Sequence, residues 1–338
     1  LLSALIAKHY LKSKKSKLGV MPNLTRQTQV IGRFAPSPTG ALHLGSLLTA
    51  VASYCIAKHA QGQWLLRIED IDTERCHSHY SKQILTDLER LGLHWDGEVR
   101  YQSEHLAHYH NLLDTKLNTL SYGCDCSRKS IQHYCQLHHC LATNYPRICT
   151  HKHLPRYHAV RLVLPDHCVL FYDQLQGIIS GNPQRDHGDI VVRRRGRVNQ
   201  PGMINYMLAV VIDDAIQGVN QVIRGLDILP LTIAQLVIAD YLALPPITQY
   251  YHLPILVNEY GQKLSKQTLA EPIAPYPTSQ LLQLVLKLLG QAPVDVDTPS
   301  TMLQQAVSQW DSQPLRGQQS VVTPPLTNLL PNWQAGAQ

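Results

Sequence analysis

Residues 30–46 read VIGRFAPSPTGALHLGS, and their order of apolar, rigid and helical stretches decides the fold. Residues 30–34 form a short, largely apolar run. Ala35-Pro36-Ser37-Pro38-Thr39-Gly40 follows, and its prolines and glycine enforce a loop. Leu44, Leu47, Leu48, Val51 and Cys55 then recur at helical spacing. The stretch predicts a strand, a rigid loop and a helix that opens just after His43. Residues 64–68 predict a second strand, followed by the acidic Glu69-Asp70-Ile71-Asp72. Ile84, Leu85, Leu88 and Leu91 share one face of a second helix. Strand, loop, helix, strand, helix is the opening of a parallel α/β domain.

Downstream the rhythm is interrupted by a Cys/His-rich stretch over residues 123–153. Strand-like runs resume at 159–164, 190–193, 207–212 and 221–223. Helical patterns cover 232–244, 279–289 and 301–310, and the residues after 310 read as a loosely ordered tail.

A chain of 338 residues, 44% hydrophobic and 16% charged, has room for two modest domains or one large domain with an insertion. The net charge of +6 suits a nucleic-acid partner without demanding one. No window approaches the roughly 18 apolar residues of a spanning helix, which points away from a membrane. Residues 1–20 place an apolar patch before their lysines, the reverse of a signal peptide, and a cytoplasmic protein is expected. Met21 stands just ahead of the first strand, so residues 1–29 read as an extension, disordered or not native. Five of the eight cysteines (Cys124, Cys126, Cys135, Cys140 and Cys149) fall within 26 residues, beside His138 and His139. Such clustering reads as a metal site before a disulfide framework.

Two motifs carry chemistry. N–H groups at the helix start after His43 attract phosphates. Gly45 lets a flat base approach the backbone, and His43 can donate to phosphate oxygens. The same residues also read as a proline-rich turn before a surface histidine. Lys263-Leu264-Ser265-Lys266 places two lysines around a serine, able to close over a polyphosphate, although such loops are usually just solvated.

Taken in order, GRFAPSPTGALHLGS, RIEDID and KLSKQ resemble the signatures of class I aminoacyl-tRNA synthetases, and among them the glutamyl-tRNA synthetase family. The resemblance runs from residue 30 to about 267. It implies a Rossmann-type parallel sheet split by a zinc-containing insertion, with a short, mainly helical C-terminal region. The implied units are 30–120 and 186–245 for the two catalytic halves, 121–185 for the insertion, 246–310 for the lysine loop and helices, and 311–338 for the tail. The implied reaction is ATP-dependent formation of glutamyl-adenylate, with Mg2+ accompanying the ATP. Only 72 residues follow Lys266. That length resembles the shorter branch of the family, which attaches L-glutamate to the queuosine base in the anticodon stem-loop of tRNA(Asp); a monomer is expected. The alternatives are a compact glutamyl-tRNA synthetase charging a 3′ end, a small-molecule ligase of pantothenate-synthetase type, and a non-catalytic descendant of a synthetase.

Residue roles follow from the resemblance. His43, Lys263 and Lys266 are the implied catalytic groups, and Pro36, His43, Gly45, Ser46 and Lys266 the ATP contacts. Arg33, Phe34, Ala35, Pro36, Ser37, Glu69, Tyr206 and Arg224 are the implied glutamate pocket. Two carboxylates and one ammonium call for two cations and one anion, which Arg33, Arg224 and Glu69 supply. Glu69 also reads as a solvent-facing carboxylate, and Arg224 as a structural partner of Asp213 or Asp214. Cys124, Cys126, Tyr145 and Cys149 match the family's motif for one structural Zn2+. A phenolate is an unusual fourth ligand, and Cys135, Cys140, His138 and His139 compete for that place; free thiols are the other reading.

Overall fold

The computed structural model describes residues 29–140, 144–263, 271–324 and 326–330. β1 (Ile31–Phe34) leads through the proline loop into α1 (Leu44–His59), and β2 (Gln63–Ile68) returns parallel to β1. α2 (Ser78–Arg90) crosses to β3 (Arg100–Tyr101), parallel to β2, and α3 (Leu106–Thr115) follows. β2 is covered on both faces, as parallel strands are. Trp64, Leu66 and Ile68 join the core under α1, with the Trp64 indole donating to Ser53 Oγ at 2.9 Å. The intervening Arg67 is just as buried, so its charge must find carboxylates inside the protein.

Next come β4 (Ser121–Cys124), α4 (Arg128–Leu137) and β5 (Ala159–Leu162). β6 (Val169–Asp173) and β7 (Gly177–Gly181) form an antiparallel hairpin, and β8 (Ile190–Arg193) precedes α5 (Tyr206–Ile216). β9 (Gln221–Gly225), α6 (Leu229–Tyr241) and β10 (Gln249–Leu253) make a second crossover with parallel strands. Asn220, just ahead of β9, joins the two halves: its Oδ1 accepts from Ile31 N at 2.9 Å and its N–H donates to Ile31 O at 3.0 Å. β11 (Ile255–Val257), α7 (Thr278–Leu288), α8 (Pro299–Ser308) and β12 (Ser320–Val322) complete the described elements used below.

Three expectations change. Residues 207–212, read as a strand, lie in α5, whose start is capped by Asn205 Oδ1 accepting from Met207 N at 3.0 Å. The helix is buried nearly all round, so its short apolar run carries no telling periodicity. The boundary expected at 185/186 is crossed by strand pairing. β8 pairs antiparallel with β5 and so belongs with β4–β5, whereas β6, expected inside the 121–185 insertion, lies parallel to β10. The tail expected over 311–338 is built into the fold where it is described: β12 pairs with β11, and Leu315 and Leu326 are buried.

α1 is buried on most of its circumference because a second helical layer covers it. Leu281, Leu282 and Val285 of α7 and Met302, Leu303 and Ala306 of α8 share its core cluster. Each such Leu or Met contributes about 1.5–3 kcal/mol by burial, so α1 is held from both sides. Among the described residues no helix is long and apolar enough to cross a membrane.

Candidate active site

The C-terminal ends of β1, β2 and β9 open into a cleft of about 570 Å³. Ligands of open α/β sheets bind at this edge, where the strand order switches. The proline loop forms one wall. It is pinned across the end of β2 by Glu69 N–H donating to Pro36 O and His77 N–H donating to Pro38 O, both at 3.0 Å. The wall carries Arg33, Phe34, Ala35, Pro36 and Ser37, followed by His43, Gly45 and Ser46 at the start of α1. Glu69, Tyr206, Arg224 and Lys263 line the rest, so eleven residues expected from sequence, together with Lys263, meet in one cavity. Lys266 lies outside the described residues.

His43 is the N-cap of α1: its Nδ1 accepts from Ser46 N–H at 3.3 Å. An accepting Nδ1 leaves the proton of the neutral ring on Nε2. Gly45 sits against the ring, and a Cβ there would meet His43 Cε1 at 3.2 Å.

The cleft floor is a buried charge network. Arg33 Nε donates to Asp214 Oδ1 at 3.2 Å, and its Nη1 to Ile223 O at 3.2 Å. Arg67 reaches Asp214 at 2.7 Å, Glu69 at 3.2 Å and Gln217 Oε1 at 2.8 Å. Burial would raise the Asp214 pKa, but Arg33 and Arg67 outweigh it and hold the carboxyl below its ordinary value. Glu69 goes the other way: burial lifts its pKa despite Arg67 and Arg33. It is buried, so the solvent-facing reading falls.

Arg224 has different company. It donates to His252 Nε2 at 3.1 Å, Thr232 Oγ1 at 2.8 Å and Gln235 Oε1 at 2.6 Å. An accepting Nε2 places the His252 proton on Nδ1, which faces Asp173 at 2.6 Å. Burial, opposed by Asp173, keeps the His252 pKa below its usual value, so the ring is neutral at pH 7. Arg224 therefore has no carboxylate hydrogen-bond partner among the described residues. The alternative pairing of Arg224 with Asp213 or Asp214 is not formed: Arg33 and Arg67 take Asp214, while Arg100, Gln102 and Tyr109 take Asp213.

Tyr206 opens α5, and its hydroxyl makes no hydrogen bond among the described residues; burial, with Glu69 nearby, raises its pKa. Lys263 stands at the mouth with its Nζ 2.6 Å from Asp227 Oδ2. The sequence alone does not single out Arg67 or the Thr232–Gln235–His252 cradle, and it offers Asp214 as a partner of Arg224, not of Arg33 and Arg67. The one local signal is an arginine inside the otherwise apolar run of residues 64–68.

Farther out, the sulfurs of Cys124, Cys126 and Cys149 lie within 4.8 Å of one another. Tyr145 Oη is 3.3 Å from Cys124 Sγ and 3.5 Å from Cys126 Sγ, and it accepts from Cys149 N–H at 3.1 Å. Ligand atoms around tetrahedral zinc stand roughly 3.8 Å apart when Zn–S is about 2.3 Å, so this donor set fits a zinc ion. Among the described residues, Cys135, Cys140, His138 and His139 stand outside this cluster. Arg161 stacks on the Tyr145 ring at 3.6 Å, with its Nε 3.2 Å from Cys124 Sγ.

Residues 29–275 match the model of the tRNA synthetases class I (E and Q), catalytic domain. A glutamyl-Q tRNA(Asp) synthetase of Acinetobacter baylyi is 44% identical over 289 residues, covering 84% of this chain and 94% of the relative. One of Photorhabdus laumondii is 41% identical, covering 85% and 88%. Among solved structures, a glutamate tRNA ligase from Elizabethkingia meningosepticum in complex with its amino acid superposes with a TM-score of 0.71 at 24% identity, over 87% of this chain and 67% of the ligase. At that identity the likeness shows the shared α/β fold. The cleft geometry and the matched catalytic domain lead to one assignment: the chain belongs to the class I tRNA synthetase family of the glutamate and glutamine (E and Q) type.

Proposed function

We propose that this chain activates L-glutamate with ATP, without tRNA, and transfers the glutamyl group to queuosine in the anticodon stem-loop of tRNA(Asp). The observation that carries the first step is the charge of the cleft floor. Arg33 and Arg67 share Asp214, and Arg67 also reaches Glu69, whereas Arg224 has no carboxylate hydrogen-bond partner among the described residues and meets Asp173 only through His252. Glutamate at pH 7 carries one net negative charge. Arg224 takes one of its carboxylates, Glu69 the ammonium, and Arg33 the other carboxylate, with Tyr206 contributing its free hydroxyl.

In activation, an oxygen of the glutamate α-carboxylate bonds to the α-phosphorus of ATP, and the bond to the bridging oxygen of pyrophosphate breaks. The carboxylate is already ionised, so no protein base is needed. Catalysis is positioning and charge neutralisation. Pro36, Gly45 and Ser46 seat the nucleotide, while His43 Nε2–H donates to phosphate oxygens. Lys263 exchanges Asp227 for phosphate, Lys266 joins it on the leaving group, and Mg2+ offsets the charge of ATP.

Cys124, Cys126, Cys149 and Tyr145 are the residues that would hold a structural Zn2+. The ion would hold the end of β4 to the loop around Cys149, away from the cleft. A cytoplasmic monomer is the setting this reading implies.

Support for the acceptor comes from relatives 39–44% identical that are named glutamyl-Q tRNA(Asp) synthetases. The test uses labelled glutamate with two RNAs: queuosine-containing tRNA(Asp) trimmed of its terminal adenosine, and full-length tRNA(Asp) lacking queuosine. Labelling of the first alone is expected. Labelling of the second alone would replace this reading with 3′-end charging.

A further inference from the structure

The hairpin after β8 is held more firmly than its polar sequence suggests. Arg194 N–H donates to Met203 O at 2.8 Å, Arg197 N–H to Gln200 O at 2.8 Å, and Gly196 N–H to Tyr157 O at 2.9 Å. A Cβ on Gly202 would run into Arg194 O, and one on Gly196 into Gln200 O, so the backbone closes without room for side chains. This turn presents Arg194, Arg195 and Arg197 to solvent.

Its place matters as much as its charge. The Gly196–Tyr157 bond ties it to the β4–β5–β8 unit. On the other side Arg194 lies 3.7 Å from Asp72, whose same oxygen holds Arg75 at 2.6 Å. Arg75 lines the cleft. Arg75 and Arg194 thus share one carboxylate at the edge of the cleft. Arg195 and Arg197 follow Arg194 on the same exposed turn and form no ion pair among the described residues.

We propose that this hairpin grips the phosphodiester backbone of the RNA whose nucleoside enters the cleft. The proposal rests on the RNA-acceptor reading above and adds the surface that orients that RNA. Guanidinium forks match phosphate oxygens, and contacts to phosphate fix register without reading sequence. A small-molecule acceptor would lie wholly inside the cleft and gain nothing from cations on its rim. A polyanion that inserts one nucleoside must lay its flanking phosphates across that rim.

The experiment compares the parent with the double variant Arg195→Gln/Arg197→Gln. A control double variant, Arg128→Gln/Lys129→Gln, removes exposed charge from the start of α4. Binding of the tRNA(Asp) anticodon stem-loop is measured from 0.05 to 0.3 M salt, alongside glutamate-dependent ATP–pyrophosphate exchange. The hairpin variant should lose on the order of tenfold affinity or more per arginine near 0.1 M salt, and its log–log salt slope should fall by about 0.7–0.9 per arginine. Exchange should stay at the parental rate, since neither residue lines the cleft. An unchanged affinity and slope overturns the proposal, and so does an equal loss in the control pair. A parent that binds the stem-loop but does not acylate queuosine sinks the acceptor reading and leaves the hairpin measurement valid.

Discussion

Gly45 lies edge-on to His43, and a single methyl group there would press on the ring at 3.2 Å from Cε1 and 3.3 Å from Nδ1. That is the atom holding the cap of α1. Gly45→Ala should displace the imidazole by a few tenths of an ångström and crowd the nucleotide. Its ATP–pyrophosphate exchange should fall on the order of tenfold or more, because small displacements of positioned groups are costly. Thermal unfolding should move by only a few degrees. Exchange at the parental rate would remove His43 and Gly45 from the phosphate site.

Asp214 neutralises two buried guanidinium groups. Asp214→Asn keeps the shape and removes the charge, which should cost about 3 kcal/mol in urea unfolding because Arg33 and Arg67 lose their shared counter-ion. The pH dependence has a definite sign. The native pKa of Asp214 is depressed, so its contribution is present above the unfolded value of about 4 and is lost as pH falls through the lower native value. The gap between parent and variant should therefore narrow below about pH 4. A constant gap down to pH 2 would mean that the loss is one of packing.

The sequence showed the walls of this site more clearly than its floor. Pro36, His43, Gly45 and Ser46 sit within one local motif, where turn chemistry and helix spacing are read directly. Arg67 and Asp214 are 147 residues apart, and nothing local says that they meet. The competing pairing of Arg224 with Asp214 was a sensible guess from charge alone. It fails because β10 places His252, and α6 places Thr232 and Gln235, around Arg224. The strand reading of 207–212 failed for a different reason: a short run buried all round shows neither helical nor strand periodicity.

Zinc analysis should find about one ion per chain. Cys149→Ser should lose it and loosen the contact between the end of β4 and the loop around Cys149, which the ion would hold together. Tyr145→Phe keeps three thiolates and removes one oxygen, so it should retain zinc but yield it to a chromophoric chelator at a lower concentration than the parent. Parental zinc affinity in that variant would remove the phenol from the ligand set.

Lys266 and Arg224 should separate by kinetic signature. Lys266→Ala removes a cation from the leaving pyrophosphate and should lower the activation rate by on the order of a hundredfold. Arg224→Gln should raise the KM for glutamate much more than that for ATP, because it removes the cleft guanidinium that has no carboxylate hydrogen-bond partner among the described residues. If the two variants shared one pattern, the division between nucleotide and amino-acid sites would be wrong.

Asn220 meets Ile31 across 189 residues of chain, which sets a timetable for synthesis. At about 5–20 residues per second, the first strand emerges roughly ten to forty seconds before the segment that completes its far side. During that interval Arg33 and Arg67 have no Asp214, and β1 has an open edge. The nascent first half is therefore obliged to wait unfolded or shielded, and ribosome-bound chains halted before residue 214 should resist protease no better than a random coil.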